Sequence, residues 1–402
     1  MRKKFFRAAV LIVCSFLFAG IFPAAAEASE PKLRLITFDE ALALARKDSS
    51  EHLALQEQID AIMEKQDELE EDLRDLKQYK IYNKQFTEED LNKMKNEMHE
   101  LAFSVLADDG TINQQDVDAI ENALDDMDRN MESLKLGQQM IPVTREISLR
   151  NALKDEANAL LDIELMEATL VLDEENVRRV TLKNEYGLAS SAEVREAEQT
   201  LAQNQKNLEA LNIQLENYSQ AINEVLQLSP YEKIRVTYIR TLSNPPANIE
   251  VFLTERLLET PSLKQKEIET AIKKAELDYR DSENKRRGIK LDKDKIDTLK
   301  VEYDKLAREY EDRRIALEAA IRANFSDLEA LLKKEETLTV ELEKANDTYE
   351  TALIRLNAGQ VTQYDADLAR LGIKQKEIEI EKNKNDYWTL KFMFDNPFLL
   401  VA

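Results

Sequence analysis

Apolar residues recur every three or four positions along most of the chain. Val194, Ala197, Leu201, Leu208, Leu211, Leu215, Tyr218, Ile222 and Val225 step by threes and fours, with one seven. Leu328, Leu331, Leu338, Leu342, Ala345, Tyr349, Ala352 and Leu356 do the same. This is the repeat of a coiled-coil seam. Residues 160–172 are apolar on more than one side, which predicts a helix packed against two neighbours. No proline or glycine interrupts the stretch between Gly288 and Gly359. A helix of that length, some 65 residues, would be about 100 Å long. Beyond it Tyr364, Leu368, Leu371 and Ile378 keep a seam that Gln375, Lys382 and Asn385 dilute. Period-two alternation is confined to residues 33–36 and 234–239, one short strand each and candidates for pairing.

The long helices are punctuated by a stretch that occurs twice. Tyr186-Gly187-Leu188-Ala189-Ser190-Ser191-Ala192-Glu193 returns as Ala358-Gly359-Gln360-Val361-Thr362-Gln363-Tyr364-Asp365. The glycines, the hydroxyls Ser190 and Thr362, and the carboxylates Glu193 and Asp365 are each 172 positions apart. Glycine ends a helix in the left-handed conformation, and a hydroxyl three residues on caps the next. A carboxylate three further completes a capping box. Two helical hairpins built to one plan are therefore predicted.

The openings of the two halves also correspond. Thr37-Phe38-Asp39-Glu40 is a capping box before Ala41-Leu42-Ala43-Leu44-Ala45, and Asp48-Ser49-Ser50-Glu51 restarts the helix to about Leu76. In the second half Asn248 caps residues 249–259, and Thr260-Pro261-Ser262 restarts the helix with proline in its first turn. Residues 78–145 are an excursion with no counterpart: Ser50 to Gly187 spans 137 positions, Pro261 to Gly359 only 98. Its residues 78–140 read as two or three short helices, one capped by Thr87 and another following the turn Asp108-Asp109-Gly110-Thr111. The helix after the first turn ends at Ser229-Pro230, and Asn244-Pro245-Pro246 links the halves. The fold class is all-α: elongated antiparallel coiled-coil hairpins in two repeated halves, with at most a short strand pair and no membrane barrel. The domain reading is a signal peptide at 1–28, a first helical repeat at 29–229, a linker at 230–248 and a second repeat at 249–402.

The leader is read from Arg2, Lys3, Lys4 and Arg7 before an apolar run at 8–22, then the cleavage signals Ala24-Ala25-Ala26 and Ala26-Glu27-Ala28. The run is too short to be preferred as a membrane span, and no later stretch reaches 18 uninterrupted apolar residues. Cys14, the only cysteine, falls inside it, so the mature chain has no disulfide and no thiol chemistry. Removing residues 1–28 takes away four basic residues and one acid, and the formal charge of −23 becomes −26. That argues against nucleic acid and anionic membrane surfaces as partners. The many acids fit solvated helix faces.

Nothing in the sequence assembles a catalytic, cofactor or metal site. His52 and His99 lie in separate helices, without the spacing of a metal pair. There is no glycine-rich phosphate loop and no nucleophile elbow. Placing Gly110 at the sixth position of a calcium loop puts Val105 and Ala107 at the first and third, and neither can bind calcium. The apolar tail, with Trp388, Phe392, Phe394 and Pro397 to Val401, is expected to pack on the helices, with contact to a membrane or a partner as the alternative.

The ordered motifs resemble the TolC-like outer-membrane efflux protein family. Its Thr-x-x-Glu-Ala-Leu opening is matched by Thr37-Phe38-Asp39-Glu40-Ala41-Leu42, and its helix restart by Ser49-Ser50 and Thr260-Pro261. Its Tyr-x-x-Gly-Leu-x-x-x-x-x-Val turn is matched by Tyr186-Gly187-Leu188…Val194 and more loosely by Ala358-Gly359-Gln360…Ala366. The resemblance implies an exported envelope component, a homotrimer whose hairpins form a long tube. It also implies that the turns dock an adaptor protein of the membrane-fusion type in a tripartite exporter. Tyr186, Gly187, Leu188, Ser190 and Glu193 would be the contacts at one turn, and Ala358, Gly359, Gln360, Thr362 and Asp365 their counterparts. The chain departs from the family where each half should supply a β-hairpin to a barrel: residues 78–145 and 281–310 lack paired ten-residue alternation. It resembles the helical duct without its membrane anchor. The alternative reading is a coiled-coil spacer of the cell envelope with no transport role, which needs only the seams, the acidity and the leader.

Overall fold

The computed structural model describes residues 33–47, 50–81, 114–240, 242–287 and 293–401. The leader at 1–28, the turn at 108–111, His99 and Gly288 lie outside them. The elements are β1 (Arg34–Thr37), α1 (Phe38–Arg46), α2 (Ser50–Ile81), α3 (Gln114–Glu185) and α4 (Ser191–Val225), then β2 (Ile234–Thr237), α5 (Ile249–Arg256), α6 (Pro261–Arg287), α7 (Lys293–Asn357) and α8 (Gln363–Asp395). A 3₁₀ turn, Pro397–Leu400, follows. Among the described residues β1 and β2 are the only strands, and no helix is long and apolar enough to cross a membrane.

The helix starts follow from local chemistry. Thr37, Ser190 and Thr362 each close a reciprocal capping box with Glu40, Glu193 and Asp365. The Asn248 side chain accepts from the Glu250 amide, and Pro261 opens α6. α7 is 65 residues long, the uninterrupted helix its composition predicts.

α3 departs from the expected pattern. The residues read as short helices are, from Gln114 onward, the first part of one 72-residue helix, and α2 runs on to Ile81. Pro142 sits inside α3 without ending it. Its ring removes one backbone donor, and just beyond it the Thr144 hydroxyl donates to the Met140 carbonyl at 3.0 Å. Packing on two flanking helices outweighs the local penalty. Gln66 and Gln138 bridge α2 and α3, and the Gln265 side chain of α6 donates to the Ser133 carbonyl at 2.8 Å. At the crossing stands Gly137, where a Cβ would lie 3.4 Å from both Leu55 and Gln265.

Cross-helix bonds fix the arrangement. α3 runs antiparallel to α8: the Asn385 amide donates to Asn158 at 2.7 Å, Lys382 pairs with Asp162, and Arg179 lies over Tyr364. Two of the polar residues that dilute the α8 seam, Lys382 and Asn385, are thus its contacts to α3, while Gln375 bonds Glu379 within α8. Towards the turns the helices stand in the order α4, α3, α8, α7. Away from the turns α2 and α6 flank α3, and α6 pairs with α7 through Lys266–Glu309 and Lys273–Glu302, both 3.3 Å.

The waist between these ends holds the main core. β1 and β2 pair in parallel, Ile36 opposite Val236, with that face buried and Leu35 and Arg235 turned outward. Ile36, Val236, Leu149, Leu153, Ile222 and Trp388 form one cluster. Tyr387 and Phe394 join Leu317, Ile321 and Leu328 in a second, so the apolar tail packs inward as its composition predicts. Trp388 stacks on Tyr238 at 5.2 Å and meets Phe38 edge-on at 5.9 Å. The Arg150 guanidinium lies 4.4 Å from the Trp388 ring and 4.3 Å from Phe392 while bonding Glu146 at 2.7 and 2.9 Å. α4 stops at Val225, short of Ser229-Pro230, because Gln227 turns left-handed at φ 57°.

Candidate docking site at the paired turns

The two turns have the same backbone. Gly187 donates to Asn184 O at 2.9 Å and Leu188 to Lys183 O at 2.8 Å. Gly359 donates to Leu356 O at 2.9 Å and Gln360 to Arg355 O at 2.8 Å. Each set is the pair of bonds that closes a helix when the residue after its end is left-handed. Gly187 has φ 73° and Gly359 φ 67°. The next helix then begins at the box hydroxyl. Ser190 N donates to the Glu193 carboxylate at 2.6 Å and Glu193 N to Ser190 Oγ at 3.2 Å. Thr362 N donates to Asp365 at 2.8 Å and Asp365 N to Thr362 Oγ1 at 3.3 Å.

These bonds set the ionisation of the two acids. The Ser190 backbone N–H and then its hydroxyl hold the Glu193 carboxyl below the usual range. Thr362 does the same for Asp365, with the positive charges of Arg179 and Lys183 adding to it. Both boxes are therefore fully formed at neutral pH.

Arg179 shows that the turns adjoin. It comes from the end of α3, and its guanidinium sits 4.1 Å from the centroid of Tyr364 at the start of α8. It also donates to Asn176 at 2.9 Å. The end of the first hairpin and the start of the second helix of the other are thereby held side by side. The sequence named Tyr364 as a seam residue, but nothing local to it points to Arg179, 185 positions away.

The side chains at this end divide cleanly. Ser190, Glu193, Thr362 and Asp365 are used up in capping. Tyr186 and Leu188 are 73% and 77% exposed, and Ile354, which the motif comparison missed, is 70% exposed. Ala358, Gly359 and Gln360 are exposed beside it. An added Cβ at either glycine would meet nothing within 4 Å. The turns differ in one respect: the Asn184 side chain donates to Ala189 O at 2.8 Å and braces the first, whereas Leu356 stands at the matching position in the second. Residues 178–196 and 350–370 carry six basic and six acidic side chains, so this end is neutral on a strongly acidic chain. Exposed large apolar side chains on rigidly capped turns of no net charge are suited to contact with another protein. Among the described residues no three metal-ligating side chains converge.

No family model matches the chain, and no curated protein is similar to it in sequence. Solved structures do match. The Campylobacter jejuni CmeC outer-membrane channel superposes with a TM-score of 0.61 at 11% identity, over 90% of this chain and 85% of that one. The outer-membrane channel OprN gives 0.55 at 15% identity, over 70% and 72%. The Vibrio cholerae outer membrane protein VceC gives 0.55 at 11%, over 70% and 75%. At such identities the likeness is one of fold. The described residues of this chain thus have the helical fold of the TolC-like outer-membrane channels, without barrel strands.

Proposed function

We propose that the chain is an efflux or export component of the cell envelope, whose paired turns dock an adaptor protein of a tripartite transporter. The observation that carries this is the composite end: two turns of identical backbone, held together by Arg179 and Tyr364, presenting Tyr186, Leu188 and Ile354 to solvent. Monomeric proteins rarely spend so rigid a frame on exposing large apolar residues at one neutral tip. The likeness to solved outer-membrane channels supports a conduit over a spacer. Two helical repeats, 29–229 and 249–402, with a linker at 230–248, are the organisation that fits this role. Export past the inner membrane by the leader at 1–28 and assembly as a homotrimer belong to the same reading.

The test is binding of a purified membrane-fusion-type adaptor from the same organism, read by interferometry. Leu188→Asp combined with Ile354→Asp, which spares both capping boxes, should weaken it by at least about tenfold, as for loss of a central apolar anchor, while the far-ultraviolet circular dichroism stays unchanged. Adaptor binding that is unaltered in the folded double variant would sink the docking role.

A further inference from the structure

A second feature, far from the turns, has no part in that reading. Between α3, α4 and the approach to β2 lies a cavity of about 640 Å³. Leu160, Leu215, Leu33 and Ile234 give it apolar walls, and the Tyr231 ring stands at its mouth, 82% exposed. Glu156 also lines it, half-buried, with the Ser219 hydroxyl donating to its Oε1 at 3.0 Å.

No cation lies within ion-pair distance of Glu156 among the described residues. Burial pushes its carboxyl above the usual range, while the Ser219 bond and the charge of Arg235 pull the other way. A carboxylate taken out of water with one neutral donor is undercompensated. The cavity also carries Lys233, Arg235, Glu216 and Glu232. Lys233, Arg235 and Glu216 are exposed, and Glu232 is answered by Arg34 at 3.7 Å. Exposed charges are screened over about 8 Å at physiological ionic strength. The half-buried carboxylate is screened least, so it sets the sign of what fits inside.

The wall is preformed. Asn223, itself buried, donates from its side chain to Pro230 O at 3.2 Å and Glu232 O at 2.8 Å. That fixes the loop carrying Tyr231 and Lys233 against α4. Cavities of this size, with apolar walls and a small number of fixed polar groups, are the usual form of small-molecule sites.

We infer that this cavity binds a small organic cation with an apolar body, its charged head on Glu156 and Ser219 and its exit past the Tyr231 ring. An aromatic at the mouth suits a cation by attraction to its π face. The inference does not depend on the function of the turns.

Calorimetry on the full chain at pH 7.5 tests it, with (4-phenylbutyl)trimethylammonium as probe and 4-phenylbutyrate as its anionic counterpart. The cation should bind saturably with one site per chain, and the anion should not bind. Glu156→Gln keeps the Ser219 bond but removes the charge, and should weaken binding by about tenfold or more. Tyr231→Ala, at a solvent-facing position that leaves the fold intact, should weaken it by about threefold. Glu216→Gln at the rim should change it less than about twofold. No saturable binding of the cation, equal binding of the anion, or affinities in Glu156→Gln and Tyr231→Ala equal to the parent would each overturn the site.

Discussion

An added Cβ at Gly187 or Gly359 would meet no atom within 4 Å, yet φ is 73° and 67° there. Space is therefore not what requires glycine at either turn; the backbone conformation is. Alanine in the left-handed region costs about 1–2 kcal/mol. Gly372 makes the opposite case. It also has open space around a Cβ, but it lies inside α8 with no positive φ. Glycine in a helix interior costs about 0.5–1 kcal/mol relative to alanine. Gly187→Ala and Gly359→Ala should each lower the unfolding free energy by about 1–2 kcal/mol, while Gly372→Ala should raise it by about 0.5–1 kcal/mol. Denaturant titration of the three variants reads this directly. A destabilised Gly372→Ala, or neutral substitutions at the turns, would contradict the division between strained and regular glycines.

Among the elements, what the sequence reveals depends on how far apart the cooperating residues lie. The turns are legible because each is closed by residues within ten positions: a glycine, a hydroxyl and a carboxylate. The strands are legible from alternation at Ile36 and Val236, but their parallel pairing across some 200 residues is decided by the waist core. The partnership of Arg179 with Tyr364 is invisible in the chain order, as are the links from Lys382 and Asn385 to α3. Residues 114–140 mislead for a related reason. Local cap and turn signals suggest short helices there, yet packing on α2 and α6 carries α3 through as one rod, Pro142 included. Proline in a helix interior costs about 3 kcal/mol. Part of that is absorbed here by local adjustment, so Pro142→Ala should stabilise the chain by about 1–3 kcal/mol. A rise in denaturation midpoint at unchanged slope checks it, and no rise would mean that the helix is already relaxed around the ring.

For the molecule as a whole, the layer α4, α3, α8, α7 has two unlike outer helices. The side of α7 turned away from its buried residues carries Ala319, Ala323, Ser326 and Ala330, at spacings of four, three and four and all exposed. Small residues at seam spacing allow the backbone of another helix to approach closely. On α4 the outer side includes exposed Ile213 and Ala202. A contact from the α7 side of one copy to the α4 side of the next is head-to-tail, and such contacts either close into a ring or run on as a filament. The proposed homotrimer is the closed case. The formal charge of −23 per chain opposes it, since copies of one sign repel until salt screens them. Light scattering on the purified chain should therefore give a mass near three chains, with the trimer persisting to lower concentration at 0.5 M salt than at 0.05 M. Ala323→Glu places bulk and a further negative charge on the seam. It should leave a folded monomer at all salt concentrations, with helicity unchanged because the position already faces solvent within one copy. A parent chain that stays monomeric at high salt, or a trimer indifferent to Ala323→Glu, would remove the α7 seam from the assembly.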